Sequence, residues 1–123
     1  MSLVPENLLY TKDHEWTRLE DDLAVVGITD HAQKELGDIV FVELPKVGAR
    51  LEAGKSFGTI EAVKTVAELY APLTGTVSEV NAALAADAGI INHDPYEKGW
   101  IVKVKVESKG PDLMDASAYQ KLI

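Results

Sequence analysis

Gly58-Thr59-Ile60-Glu61-Ala62-Val63-Lys64-Thr65-Val66-Ala67-Glu68-Leu69-Tyr70-Ala71-Pro72-Leu73-Thr74-Gly75-Thr76-Val77 holds the turning point of the chain. Two apolar segments of similar length, 56–63 and 66–70, flank Lys64-Thr65. Such residues suit a pleated, half-buried backbone, so the pattern predicts two strands joined as a hairpin with Lys64 at its tip. A lysine there points its Cβ into solvent, keeps its ammonium hydrated, and lets an enzyme clasp the tip from both sides. In a helix or a packed strand it is far less accessible. On composition alone Lys64 is one of 12 basic residues, and exposure is the ordinary fate of lysine. Its local context shifts that balance.

Working outward, Leu23-Ala24-Val25-Val26-Gly27-Ile28 reads as a strand. Thr29-Asp30 supplies N-cap oxygens for a short helix over 31–36, which Gly37 ends. Residues 38–44 form a further strand stopped by Pro45, and 50–52 a short one. Downstream, 72–75 reads as a loop, 76–80 as strand, and 81–94 as loop with one helical turn around 82–85. Over 100–107, Val102, Val104 and Val106 alternate with Lys103 and Lys105, the period of a strand with one wet face. Residues 111–123 read as one or two helical turns. Short, evenly spaced strands with turn chemistry between them predict a mainly β sandwich or small barrel. We expect one domain over 1–123, loosely ordered at 1–7, with a helical extension at 108–123.

The 123 residues are 46% hydrophobic and 26% charged, with net charge −8 and a pI near 4.8. Nucleic acid repels such a surface. No apolar run approaches a membrane span, and the N-terminus carries neither a secretory nor an Arg-rich transit pattern. The expected location is the bacterial cytoplasm, or an organellar matrix after removal of a presequence. Cysteine is absent, so any thiol chemistry needs sulfur from outside. His14, His31 and His93 lack metal-ligand spacing and read as surface histidines. Trp16 and Trp100 read as core or cleft wall. No nucleophile–His–acid constellation is visible, so an independent enzyme is not expected.

Several motifs in order resemble the glycine cleavage system H proteins, a family of lipoyl carriers. They are Thr11-Lys12-Asp13-His14-Glu15-Trp16, then Gly27-Ile28-Thr29-Asp30-His31-Ala32-Gln33, then Leu36-Gly37-Asp38-Ile39-Val40-Phe41-Val42-Glu43-Leu44-Pro45. Glu61-Ala62-Val63-Lys64 resembles the lipoylation motif, and Tyr70-Ala71-Pro72, Glu79-Val80-Asn81, Asp94-Pro95-Tyr96 and Gly99-Trp100 follow. The similarity spans 8–107. Ordered motifs are far more specific than a lone Glu-x-x-Lys.

That resemblance implies a flattened β-sandwich of the lipoyl/biotinyl-carrier (barrel-sandwich hybrid) type with short helices, including one at the C-terminus. It implies lipoate attached to Lys64. Biotin carriers usually set their lysine between methionines, whereas Val63 and Thr65 flank Lys64 here. The implied partners are a pyridoxal-phosphate glycine decarboxylase, a folate-dependent aminomethyltransferase and dihydrolipoamide dehydrogenase, with a lipoate ligase or lipoyl transferase for attachment. A monomer is expected. The family's cleft carboxylates, which shield the aminomethyl-bearing arm, map to Glu15 and Glu68; Glu61 is a motif residue on the opposite strand face, suited to ligase recognition or to solubility. The family often has Asp where Glu68 stands and Ser where Asp13, Ala62 and Ala67 stand, so hydroxyl contacts in the cleft do not carry over. Read without the resemblance, Glu15 and Glu68 are ordinary solvated carboxylates. A carrier relaying lipoate or another acyl cargo, and a β-sandwich interaction module with an incidental lysine, are the alternatives.

Overall fold

A computed structural model describes residues 2–123. Two antiparallel sheets face each other, neither closed into a barrel. The larger holds six strands: β1 (Leu9–Tyr10), β2 (Glu15–Glu20), β3 (Leu23–Ile28), β5 (Arg50–Leu51), β8 (Leu73–Val80) and β9 (Val102–Lys109). Their order across the sheet is β1-β2-β3-β9-β8-β5. The smaller sheet is β4 (Ile39–Glu43), β6 (Ser56–Ala62) and β7 (Val66–Tyr70), in the order β4-β6-β7. The mainly β sandwich expected from the strand spacing is therefore the architecture observed.

Alternation along the strands divides the apolar residues between two cores. Ala24, Val26 and Ile28 of β3 face inward and meet Val102 and Val104 of β9, Ile60 of β6 and Leu69 of β7 between the sheets. Val25 faces the other way, into a second cluster of Val4, Leu8, Tyr10, Trp16, Tyr96 and Tyr119. This cluster lies under the N-terminal segment and helix α4 (Ala116–Leu122). Burial on both faces explains why 23–28 is an unbroken apolar run while β9 alternates. Gly27 belongs to this second face: a Cβ there would lie 2.7 Å from the ring of fully buried Trp16, so only glycine fits.

The short helix α1 (Asp30–Leu36) begins as expected, with the Ala32 amide donating to Thr29 Oγ1 at 3.1 Å. It ends at Gly37, whose φ of +78° favours glycine.

Three expectations are corrected. The loop assigned to 72–75 is strand from Leu73, because buried Leu73 and Gly75 pair with Lys109 and Val106. Besides α2 (Ala83–Ala86), a second turn, α3 (Ile90–His93), forms within the expected loop around fully buried Ile91; four residues are too few to show a helical period. The C-terminal extension is not helical from 108, since Ser108 and Lys109 continue β9. At the N-terminus, the Leu3 amide donates to Asp30 Oδ2 at 2.9 Å, and the Tyr96 and Tyr10 hydroxyls donate to the Leu3 and Pro5 carbonyls at 2.6 and 2.5 Å. Met1 lies outside the described residues.

Candidate functional site

Lys64 occupies the tip between β6 and β7, as the flanking strands predict. The tip is fixed by the Ala62 amide donating to the Thr65 carbonyl at 2.8 Å and the Val63 amide donating to the Asp38 carbonyl at 2.9 Å. Lys64 is exposed and forms no ion pair among the described residues. Its stem does not project straight into solvent. It lies over Gly37, where an added Cβ would stand 3.3 Å from Lys64 Cε. Gly37 thus ends α1 and also clears a path for the lysine along the helix end.

Beside that helix end is a cleft of about 140 Å³ between the edge strand β7 and the start of β2. Leu36, Ile60 and Leu69 give it an apolar wall, and Glu15, Glu68, His14 and Glu35 give it polar edges. The structure therefore brings Glu15 and Glu68 to one cavity and leaves Glu61 outside it.

Glu15 is only 2% exposed, so the solvated reading is wrong for it. Thr11 Oγ1 donates to Oε1 at 2.9 Å, and the Tyr70 amide donates to Oε2 at 3.3 Å. That amide belongs to the sheet edge, so Glu15 also ties β2 to β7. Burial pushes the carboxyl up to about 8, against the downward pull of the two hydrogen bonds. Glu68 is exposed at the rim and accepts from the Tyr70 hydroxyl at 3.2 Å. Glu61 stands on the outer face of the small sheet, between Phe41 and Val66. Of the positions that depart from the family's serines, Asp13 and Ala67 line the cleft and Ala62 is buried in the sheet.

His14 is not the surface histidine expected. It is half-buried at the cleft with φ of +69°, and its Nδ1 lies 2.8 Å from the Tyr119 hydroxyl of α4. That hydroxyl is also 2.7 Å from Thr29 Oγ1. The His31 ring packs 4.8 Å from the His14 ring, and His31 Nε2 is 3.4 Å from Glu35 Oε1. Burial, then the neighbouring His31, lowers the His14 pKa. Nothing in the sequence signals this cluster, because Tyr119 reaches His14 across 105 residues.

A flexible acyl arm on Lys64 fits these residues. The amine is accessible, the lysine stem lies over Gly37 next in the chain to cleft-lining Leu36, the wall suits a hydrocarbon chain, and the carboxyls suit a terminal amine.

The family model described as Glycine cleavage H-protein matches residues 8–123. A glycine cleavage system H protein from Rubrobacter xylanophilus is 52% identical, over 98% of this chain and 95% of its own length. One from Chlorobaculum parvum is 56% identical, over 98% of this chain and 97% of its own length. Among solved structures, a glycine cleavage system H protein from Mycobacterium marinum superposes with a TM-score of 0.92 at 42% identity, covering 96% of this chain and 97% of the other. By sequence, by length and by fold, this chain belongs to the glycine cleavage H-protein family.

Proposed function

We propose that the chain is the lipoyl carrier of the glycine cleavage system, with lipoate attached to the side chain of Lys64. It is a carrier and not an enzyme. In this reading it carries an aminomethyl group from a pyridoxal-phosphate glycine decarboxylase to a folate-dependent aminomethyltransferase, and dihydrolipoamide dehydrogenase restores the disulfide. Lipoate, when bound, supplies the two sulfurs that this cysteine-free sequence lacks.

The chain's own residues present and protect. The observation that carries the reading is an exposed lysine at a hairpin tip, its stem running over Gly37 beside a cleft edged by carboxyls. An amide at Nζ removes the lysine charge. The apolar wall excludes water from the reactive carbon. Glu15, buried and holding its proton near neutral pH, meets an incoming amine by giving up that proton to form a charge-assisted pair. Glu68 adds a second carboxylate at the rim. Glu61 belongs to the surface read by the lipoate ligase or lipoyl transferase. The chain works as a monomer in the bacterial cytoplasm, or in an organellar matrix in a processed form.

Reconstitution with the three partner enzymes tests this. Lipoylated wild type supports glycine-dependent release of carbon dioxide and Lys64→Arg does not. Glu15→Gln and Glu68→Gln shorten the lifetime of the aminomethyl-bearing form; an unchanged lifetime in both removes the cleft carboxyls from the account. A protein that accepts lipoate but never takes up label from glycine belongs instead to lipoate relay.

A further inference from the structure

The segment Ile39-Val40-Phe41-Val42 is as apolar as β3, yet the two strands are treated differently. The outer face of β3 is covered by α4 and the N-terminal segment. Nothing among the described residues covers the outer face of β4, and Val40 and Phe41 are 59% and 50% exposed. A β-bulge produces this. Ile39 pairs with Ala62 and Phe41 with Glu61, so Val40 is an extra residue and the alternation resets. Ile39 and Val42 point into the core, and two successive apolar side chains point out. A regular strand would have turned Phe41 inward.

The bulge lies beside the lysine hairpin. Val63, 75% exposed, is tied through its amide to Asp38, and Val66, 60% exposed, lies across Glu61 from Phe41. Val40, Phe41, Val63 and Val66 are four of the eight large apolar residues left exposed among the described residues. Carboxylates stand among them on the same face: Glu61 lies between Phe41 and Val66, and Glu43 and Glu68 flank Thr59 in the next row. Exposed apolar clusters rimmed by polar groups mark interaction sites.

We propose that this face is the docking platform for the enzyme that acylates Lys64, and that the enzyme meets it with an apolar surface framed by basic side chains. This rests on the reading of Lys64 as the attachment point. Two observations select the occupant. The patch carries acidic and not basic framing, which calls for a cationic partner. It also abuts the tip itself. An enzyme forming an amide at Nζ must bring an activated acyl carbon within bonding distance, so its body rests on the residues beside the lysine. Partners that act at the far end of an attached arm have no such need. In the step served, the unprotonated Nζ attacks the carbonyl carbon of an acyl-adenylate. The C–N bond forms, the acyl–phosphate bond breaks, adenylate leaves with the electron pair, and the amine's proton passes to solvent.

The test uses the full unmodified chain with a lipoate ligase, lipoate and ATP, measuring kcat and KM for the protein substrate. Val40→Ser/Phe41→Ser raises KM about tenfold or more, with kcat within about twofold of wild type. The apolar pair Val40→Ile/Phe41→Leu restores KM. Val47→Ser, equally exposed but in the turn before β5, leaves both constants unchanged. Circular dichroism melts check that each variant is folded. Unchanged KM in the folded serine variant overturns the proposal. So does a wild-type dimer in sedimentation that the serine variant abolishes, since a second copy would then be the occupant. So does normal lipoylation with slowed glycine-dependent loading, which would give the face to the decarboxylase. Failure of the wild type to be lipoylated at all is a different result: it removes the attachment reading, and this proposal with it.

Discussion

At the scale of single residues, Glu15 carries the most information. Its folded state holds a proton more tightly than the unfolded chain does. The advantage of the protonated carboxyl is full below the ordinary value of 4.5 and is lost as pH rises through about 8. The unmodified protein should therefore lose on the order of a few kcal/mol of stability across that window. Glu15→Gln should flatten the loss, as measured by urea unfolding at a series of pH values. An equal decline in the variant would place the cause elsewhere. His14 works in the opposite sense. Lowered by burial and by His31, it favours the fold above its ordinary value of 6.5 and costs stability as pH falls below it. Gly27 makes a purely steric prediction. Gly27→Ala drives a methyl into the ring of Trp16, which cannot retreat because it is fully buried, and should cost about 1–3 kcal/mol in the same unfolding assay.

At the scale of elements, the hairpin and the C-terminal helix behave differently under mutation. Lys64→Arg should leave stability within about 0.5 kcal/mol of wild type, since an exposed tip residue packs little. Substantial unfolding of that variant would make Lys64 structural. Helix α4 is held by Tyr119, whose ring stacks on Tyr10 at 4.7 Å and whose hydroxyl meets His14 and Thr29. Tyr119→Phe keeps the stack and removes the hydroxyl. It leaves His14 Nδ1 without its partner and should cost about 1–3 kcal/mol. The difference in legibility is one of range. The strands flanking Lys64 and the Thr29 cap are written locally, in β-branched runs and a capping hydroxyl. The inner end of β8 and the turn α3 are set by burial of Leu73 and Ile91 against distant strands, which no local pattern reports. The bulge at Val40 is equally silent, because an apolar run does not say which residue is the extra one.

At the scale of the whole molecule, two cores divide the labour. The core between the sheets fixes the hairpin and the cleft. The aromatic core on the outer side of β3 fastens the N-terminal segment and α4, and through Tyr119 it braces His14 at the cleft. Composition narrowed the classes of function: −8 net charge disfavours nucleic acid, and without cysteine any thiol chemistry needs sulfur from outside the chain. Lys64 was legible as a hairpin tip from its flanks. Glu15 and Glu68 were legible as a pair only through the resemblance, because the fold brings together residues from β2 and β7. The central claim is that Lys64 is the single acyl attachment point of a carrier. Intact mass before and after incubation with lipoate, ATP and a lipoate ligase, followed by peptide mapping, tests it most directly. The account predicts the addition of one lipoyl group, at Lys64, and none in Lys64→Arg. No addition to the folded protein by a ligase active on a control carrier, or addition at another lysine, would contradict it.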